Sequence, residues 1–189
     1  MRAAIMQPYF FPYLGYFELA AAGDVFILYD NIKYTKKGWI NPNKVLRNGQ
    51  AAVFSLPLKN DPDILDIRDR RISKDFDKRR LLNQFREAYR CAPYFDDAFG
   101  LFESVVMAEE PNLFEFLHNS ITATCRYLGI RSSVVVSSEL EVDPALKGSE
   151  RIIGLPIRHS TIRHSAIRHS RNTGKAEWPH LACAYGHVF

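Results

Sequence analysis

The segment that most constrains this chain is an aromatic, proline-containing stretch near its N-terminus. Residues 7–17 read Gln-Pro-Tyr-Phe-Phe-Pro-Tyr-Leu-Gly-Tyr-Phe. Proline lacks an amide hydrogen and restricts the residue before it, so the two prolines exclude a helix interior or a central strand here. We therefore predict a strand over Ala3–Met6, a stiff aromatic loop, and a helix over residues 13–22. Gln7 then lies where the strand ends.

A second strand is predicted over residues 24–30, Asp-Val-Phe-Ile-Leu-Tyr-Asp. Its apolar residues do not alternate with polar ones, which is typical of a strand covered on both faces. Two strands joined by a helix form a βαβ unit with parallel strands. Open α/β sheets bind ligands at the carboxyl ends of their strands, so we expect Gln7 and Asp30 to share a ligand-binding edge.

Later segments extend the α/β pattern. Residues 51–58 and 132–137 are predicted strands, and residues 74–128 carry three amphipathic helical patterns. Pro111 fits the first position of the last helix, and Gly129 fits the position after its end. The predicted fold is α/β, with a βαβ-containing, largely parallel sheet and a helical block. It is nucleotidyltransferase-like by analogy only.

The net charge of +4 comes entirely from the C-terminal end. Residues 1–155 carry 20 lysines and arginines against 20 aspartates and glutamates, whereas residues 156–189 carry five against one. A basic excess confined to a tail argues against a nucleic-acid partner. No apolar run reaches the roughly 18 residues of a membrane span, and no signal-peptide pattern is present.

The three cysteines have no close spacing, which favours reduced thiols and a cytoplasmic location over a disulfide framework. Cys91 and Cys125 lie in helical patterns and are predicted to be small buried hydrophobes. His118, among apolar helix residues, is predicted to be a partly buried structural histidine.

Residues 157–171 repeat Ile-Arg-His-Ser three times with a period of five. That period fits neither the helix nor the strand, and solenoid repeats have units of about 20 residues or more. We predict one domain over residues 1–155, incomplete at its C-terminal side, and an aberrant low-complexity tail over residues 156–189 produced by a frameshift. A natural low-complexity extension is the alternative.

No phosphate-binding glycine loop, metal motif or nucleophile elbow is present, so no metal site or cofactor is predicted. The site is predicted instead from polar and aromatic residues near strand ends. Lysine binds phosphate as a point charge, and side-chain amides form hydrogen bonds with a sugar or a base. Aromatic rings stack on a sugar face or a base, and core packing is the alternative role for these rings. Asp30 and Lys36 are candidate catalytic residues. The predicted ligand-binding set is Gln7, Tyr9, Phe10, Tyr16, Asp30, Lys36, Trp39, Asn41, Asn43, Lys147, Glu150 and Arg151.

The last three of these residues stand at a predicted helix start, where backbone amides and cations can hold a phosphate. A surface ion pair between Glu150 and Arg151 is the alternative interpretation.

The pattern of residues 4–17 and 24–46 resembles the WbqC-like proteins, whose members begin with Met-Gln-Pro-Tyr-Phe-Phe-Pro-Tyr-Gly. The resemblance covers residues 3–155, and Pro42 departs from it where the family usually has arginine. Further matches are Tyr34, Lys36, Gly38, Trp39, Ile40, Asn41, Asn43, Ser55, Leu56, Pro57 and residues 147–153.

The resemblance implies a protein of surface-glycan biosynthesis, for O-antigen or capsule. Together with the predicted site it indicates a transferase acting on a nucleotide-activated sugar or another phosphate-bearing small molecule, acyl or aminoacyl transfer included. The alternatives are a non-catalytic nucleotide-sugar-binding or accessory protein, or an inactive truncated member. The family's later core strands are absent here, which predicts self-association through an uncovered sheet edge.

Overall fold

The computed structural model describes residues 2–36, 38–47 and 49–140. The predicted site residues Lys147, Glu150 and Arg151 lie outside the described residues. So do the predicted domain boundary near residue 155 and the tail over residues 156–189.

The described chain contains five short strands and four α-helices. Two single turns of 3₁₀ helix, Ile67–Asp69 and Ser137–Glu139, accompany them. In chain order the other elements are β1 (Ala3–Met6), α1 (Leu14–Ala22), β2 (Val25–Leu28), β3 (Pro42–Arg47), β4 (Gln50–Ser55), α2 (Lys78–Tyr89), α3 (Phe95–Met107), α4 (Leu113–Tyr127) and β5 (Ser133–Val136).

The strands β1, β2 and β5 form a parallel sheet with β2 in the middle. In register, Met6 lies opposite Leu28, and Leu28 lies opposite Val136. This confirms the predicted α/β class and the βαβ unit built from β1, α1 and β2. Because the strands are parallel, their carboxyl ends meet at one edge of the sheet.

Strand β2 is buried on both faces, as its unbroken apolar run predicts. Phe26 and Leu28 belong to the main core with α1 and α4, whereas Val25 and Ile27 pack with apolar residues of β1 and β5 on the other face. All four side chains are at most 2 % exposed. The buried strand β2 therefore anchors the centre of the sheet, and β1 and β5 pair with it on either side.

An antiparallel hairpin of β3 and β4 lies apart from this sheet. Strand β4 matches the predicted strand over residues 51–58, but β3 was not predicted. Gly49 in the connecting turn has φ 75°, a conformation that glycine adopts without steric cost. Val45 and Phe54 bring the hairpin into the main core.

The helical block is present with shifted ends. Asp77 caps α2 by accepting a hydrogen bond from the backbone N–H of Arg80 at 2.9 Å, so the helix begins later than residue 74. Asn112 caps α4 through the N–H of Glu115 at 3.1 Å. Pro111 therefore precedes the cap, which corrects its predicted place at the first helical position.

The end of α4 and one cysteine follow the sequence pattern. Gly129 has φ 67°, as expected for a residue that ends a helix. Cys125 is buried, and burial raises the pKa of its thiol. Cys91 is exposed, so its predicted burial is wrong. Helix α2 ends at Tyr89, and Cys91 therefore lies outside the helix whose apolar face is buried. None of the described helices is both long and apolar enough to cross a membrane.

Candidate functional site

Three polar residues follow the strand ends at the carboxyl edge of the parallel sheet. Gln7 directly follows β1, Asp30 follows β2 by two residues, and Ser137 directly follows β5. The backbone N–H of Tyr29 donates to the carbonyl of Met6 at 2.9 Å, so the strand pairing continues up to the edge. The edge is where ligands bind in open parallel sheets.

Asp30 is buried and its carboxylate is held in one orientation. It is 2 % exposed, and its Oδ1 accepts from the hydroxyl of Ser137 at 2.7 Å and from the N–H of Ser138 at 2.9 Å. Within the described residues, Oδ2 of Asp30 has no hydrogen-bond partner. The two serines were not predicted as site residues, because nothing in their local sequence shows that β5 lies beside β2.

Gln7 is half-buried and is positioned by two tyrosines. The hydroxyl of Tyr9 donates to its side-chain Oε1 at 3.3 Å, and the hydroxyl of Tyr16 donates to its main-chain carbonyl at 3.0 Å. Tyr16 is 1 % exposed, and burial raises the pKa of its phenol well above the usual value. Tyr16 therefore orients the end of β1 from inside the core.

Phe10 is also a core residue. It is fully buried, its ring lies 5.7 Å from that of Phe116, and its N–H donates to the carbonyl of Ile40 at 3.0 Å. The rings of Phe10 and Tyr16, which were predicted to stack on a ligand, present no face to one. Their burial agrees with the alternative role given for the rings, which is core packing.

Asn43 uses its amide inside the protein. Its Nδ2 donates to the main-chain carbonyls of Phe10 and Phe11, the first at 3.0 Å, and its Oδ1 accepts from the N–H of Lys44 at 2.7 Å. Phe11 has φ 43°, a strained conformation for a phenylalanine. Asn43 thus clamps the aromatic loop at its most strained residue.

Asn41 has a similar structural role. Its Oδ1 accepts from the hydroxyl of Tyr34 at 2.8 Å, and its Nδ2 donates to the carbonyl of Leu56 and the hydroxyl of Ser55, both at 2.9 Å. These bonds join the segment after β2 to the end of β4. Both predicted asparagines therefore shape the loop beside the edge.

Lys36 and Trp39 remain accessible. The Nζ of Lys36 lies 2.8 Å from a carboxylate oxygen of Asp63, with both side chains more than half exposed. Trp39 is 46 % exposed, and the Nζ of Lys44 lies 5.3 Å from its ring centroid. A cation and an exposed indole ring are thus presented by the segment that leaves the sheet edge.

Arg70 is a buried cation that the sequence did not single out. Its side chain is 3 % exposed, and its guanidinium carbon lies 4.4 Å from the ring centroid of Tyr34. The guanidinium donates to the carbonyls of Asp61 at 3.4 Å and Pro62 at 3.0 Å. Its Nε is buried and has no partner among the described residues.

The charges around Arg70 shift two pKa values. Asp63 accepts a hydrogen bond from Lys36, and this bond, together with the positive charges of Lys36 and Arg70, lowers the pKa of Asp63. Burial raises the pKa of Tyr34, and the two cations oppose that rise. The two cations therefore favour the charged form of the Asp63 carboxylate.

Other features of the described chain lie away from this edge. Shallow cavities of about 530 and 470 Å³ are lined by β3 with α2 and by residues 72–78 with 109–111, and neither includes Gln7 or Asp30. His118 is partly buried, as predicted, and stacks on Phe114 with ring centroids 5.9 Å apart. No described cluster of three histidine, cysteine, aspartate or glutamate side chains could hold a metal ion.

Comparison with known proteins identifies relatives of the chain. The profile of the WbqC-like protein family matches residues 7–160. An uncharacterized protein of Mycobacterium tuberculosis, Rv1507c, is 26 % identical over 143 residues. That alignment covers 75 % of this chain and 62 % of the relative, so the chain spans less than two thirds of the relative's length. No solved structure matches the chain.

Proposed function

The chain belongs to the WbqC-like protein family, and we propose that it acts in surface-glycan biosynthesis on a nucleotide-activated sugar. The proposed reaction is a transfer in the cytoplasm, with acyl or aminoacyl transfer to the sugar as one form. One observation carries the proposal: Gln7 and the buried, oriented Asp30 follow the ends of two neighbouring strands at the carboxyl edge of the sheet.

The residues around the edge match the parts of such a ligand. Oδ2 of Asp30 and the side chain of Gln7 are the proposed partners of sugar hydroxyl groups, because carboxylates and amides accept from them. Trp39 is the proposed stacking surface for the base or the sugar face. Lys36 is the proposed phosphate contact.

A second candidate is a protein that binds the nucleotide sugar without turnover. The observation favouring it is the state of the potential nucleophiles and bases among the described residues. The thiol of Cys125 is buried with a raised pKa, and His118 is stacked inside the helical block. Neither side chain is then placed as a nucleophile or base at the described sheet edge.

Trp39→Ala is expected to weaken binding of the nucleotide sugar most. Loss of a stacked base costs about 1–3 kcal/mol, so affinity should fall by about five- to 150-fold. Isothermal titration calorimetry with UDP-N-acetylglucosamine, GDP-mannose and dTDP-glucose measures the Kd. Tyr127→Ala is the matched control, because Tyr127 is 48 % exposed at the end of α4. Equal losses in both variants, or no binding of any probe, would contradict the proposal.

Lys36→Ala is expected to have a smaller effect. Its side chain is 64 % exposed, and exposed ion pairs contribute about 0.2–1 kcal/mol, so affinity should fall about two- to fivefold. Lys74→Ala, at another exposed lysine, is the control.

Mass spectrometry of the nucleotide sugar after incubation with acetyl coenzyme A tests acyl transfer. Retained binding without any modified sugar favours the binding-only candidate.

A further inference from the structure

We propose that Lys36 and Arg70 form a phosphate-binding site whose place is taken by Asp63 in the unliganded protein. The inference takes its ligand class from the proposed function and names the phosphate subsite of the same ligand. The site joins two segments: residues 34–36 follow β2, and residues 61–70 run beside them. The backbone N–H of Tyr34 donates to the carbonyl of Leu65 at 3.2 Å, which fixes that arrangement.

Arg70 carries hydrogen-bonding capacity that the described residues do not use. Its Nε has no partner among the described residues, and the nearest carboxylate oxygen, on Asp63, lies 3.7 Å from its Nη2. A charge-assisted hydrogen bond is about 2.7–2.9 Å long, so the ion pair is loose. A guanidinium forms bidentate bonds with phosphate oxygens, and stacking on Tyr34 already fixes its plane.

Asp63 is a shared and exposed counter-ion. Its carboxylate contacts Lys36 at 2.8 Å and reaches Arg70 at 3.7 Å, while its side chain is 69 % exposed. One negative charge thus lies between two positive charges. An exposed carboxylate is held weakly, because solvent screens the pair. A diphosphate brings more charge and more acceptor oxygens, so it can displace Asp63 from both cations.

The lowered pKa of Asp63 agrees with this geometry, because both cations favour its charged form. The competing interpretation gives Arg70 a structural role only, as the anchor of the turn through the carbonyls of Asp61 and Pro62. On that interpretation, Asp63 does not compete with an anion. Removal of its charge then changes anion affinity no more than removal of any other exposed carboxylate.

Titration of the full chain with inorganic pyrophosphate, at fixed ionic strength, separates the two interpretations. Asp63→Asn is expected to raise the affinity for pyrophosphate about fivefold, the effect of removing an exposed competing ion pair. Asp69→Asn is the matched control, because Asp69 is 54 % exposed and lies 4.0 Å from Arg68. Adding Lys36→Ala to Asp63→Asn should abolish the gain.

Arg70→Lys in the Asp63→Asn background keeps the charge but loses the planar donor group, so it should also reverse the gain. Equal affinities in Asp63→Asn and Asp69→Asn, or no binding of pyrophosphate by Asp63→Asn, overturn the inference. If Asp63→Asn binds pyrophosphate as expected but binds nucleotide sugars no more tightly than pyrophosphate, the anion site stands and the proposed function fails. Trp39-dependent binding of nucleotide sugars without an effect of Asp63→Asn overturns the inference alone.

Discussion

Phe10→Ala is expected to lower the free energy of unfolding by about 3–5 kcal/mol, the range for truncating a buried phenylalanine. Phe10 is fully buried, and its ring centroid lies 5.0–5.9 Å from those of Phe11, Phe54 and Phe116. These rings belong to the aromatic loop, the hairpin and α4, so the truncation leaves a cavity where three parts of the fold meet. Urea denaturation followed by circular dichroism measures the loss.

The control is an aromatic residue that packs on little. Tyr94 is 82 % exposed, so Tyr94→Ala should change the free energy of unfolding by only about 0.5 kcal/mol. A loss near that value in Phe10→Ala would mean that the aromatic loop is not part of the core. Its rings would then return as candidates for ligand stacking.

The course of the chain around β2 could be predicted because its signals are local. The unbroken apolar run of β2 and the prolines after β1 each limit the backbone within a few residues. The role of the aromatic loop, by contrast, is not determined by residues nearby in the sequence. A ring such as that of Phe10 suits a core and a ligand pocket equally, and contacts with Phe54 and Phe116, far along the chain, decide between them.

Arg70 shows the same limit for a charged residue. Residues 64–72 place three isoleucines among charged residues, a pattern that is consistent with a short exposed strand. The chain instead makes a 3₁₀ turn in which Ile67 is fully buried and Arg70 is 2 % exposed. Burial of this arginine depends on Tyr34 and on the carbonyls of the turn over residues 61–62, and sequence spacing does not reveal those partners.

The sequence singles out Asn41 and Asn43 but does not reveal the hydrogen bonds that their side chains form within the protein. Amide groups beside a predicted sheet edge suit a ligand, and they suit a strained loop equally. In the structure, Asn41 and Asn43 hold the segment after β2 against β4 and the aromatic loop. These residues therefore act on the proposed site through the loop that carries Trp39.

Asn43→Asp is expected to lower the free energy of unfolding by about 3 kcal/mol at pH 7, because two part-buried carbonyls lose their hydrogen bonds. The N–H of Lys44 donates to Oδ1 of Asn43, so Nδ2 is the atom that faces the carbonyls of Phe10 and Phe11. A carboxylate cannot donate, and its negative charge would face both carbonyl oxygens. The strained backbone of Phe11 would then lose its support.

The dependence on pH distinguishes this mechanism from a simple loss of contacts. Facing carbonyl oxygens raise the folded-state pKa of the introduced carboxyl group above its unfolded value of about 3.9. The charge-related part of the loss is therefore present above the folded pKa and disappears as the pH falls below the unfolded pKa. Urea denaturation of Asn43→Asp and Asn43→Ala between pH 7 and about pH 3 tests this, with the unsubstituted protein as reference at each pH. The two variants should converge at low pH, because a protonated carboxyl group can donate to one carbonyl. A constant difference between them would show that the amide nitrogen does not face the loop, and that Asn43 is available to a ligand.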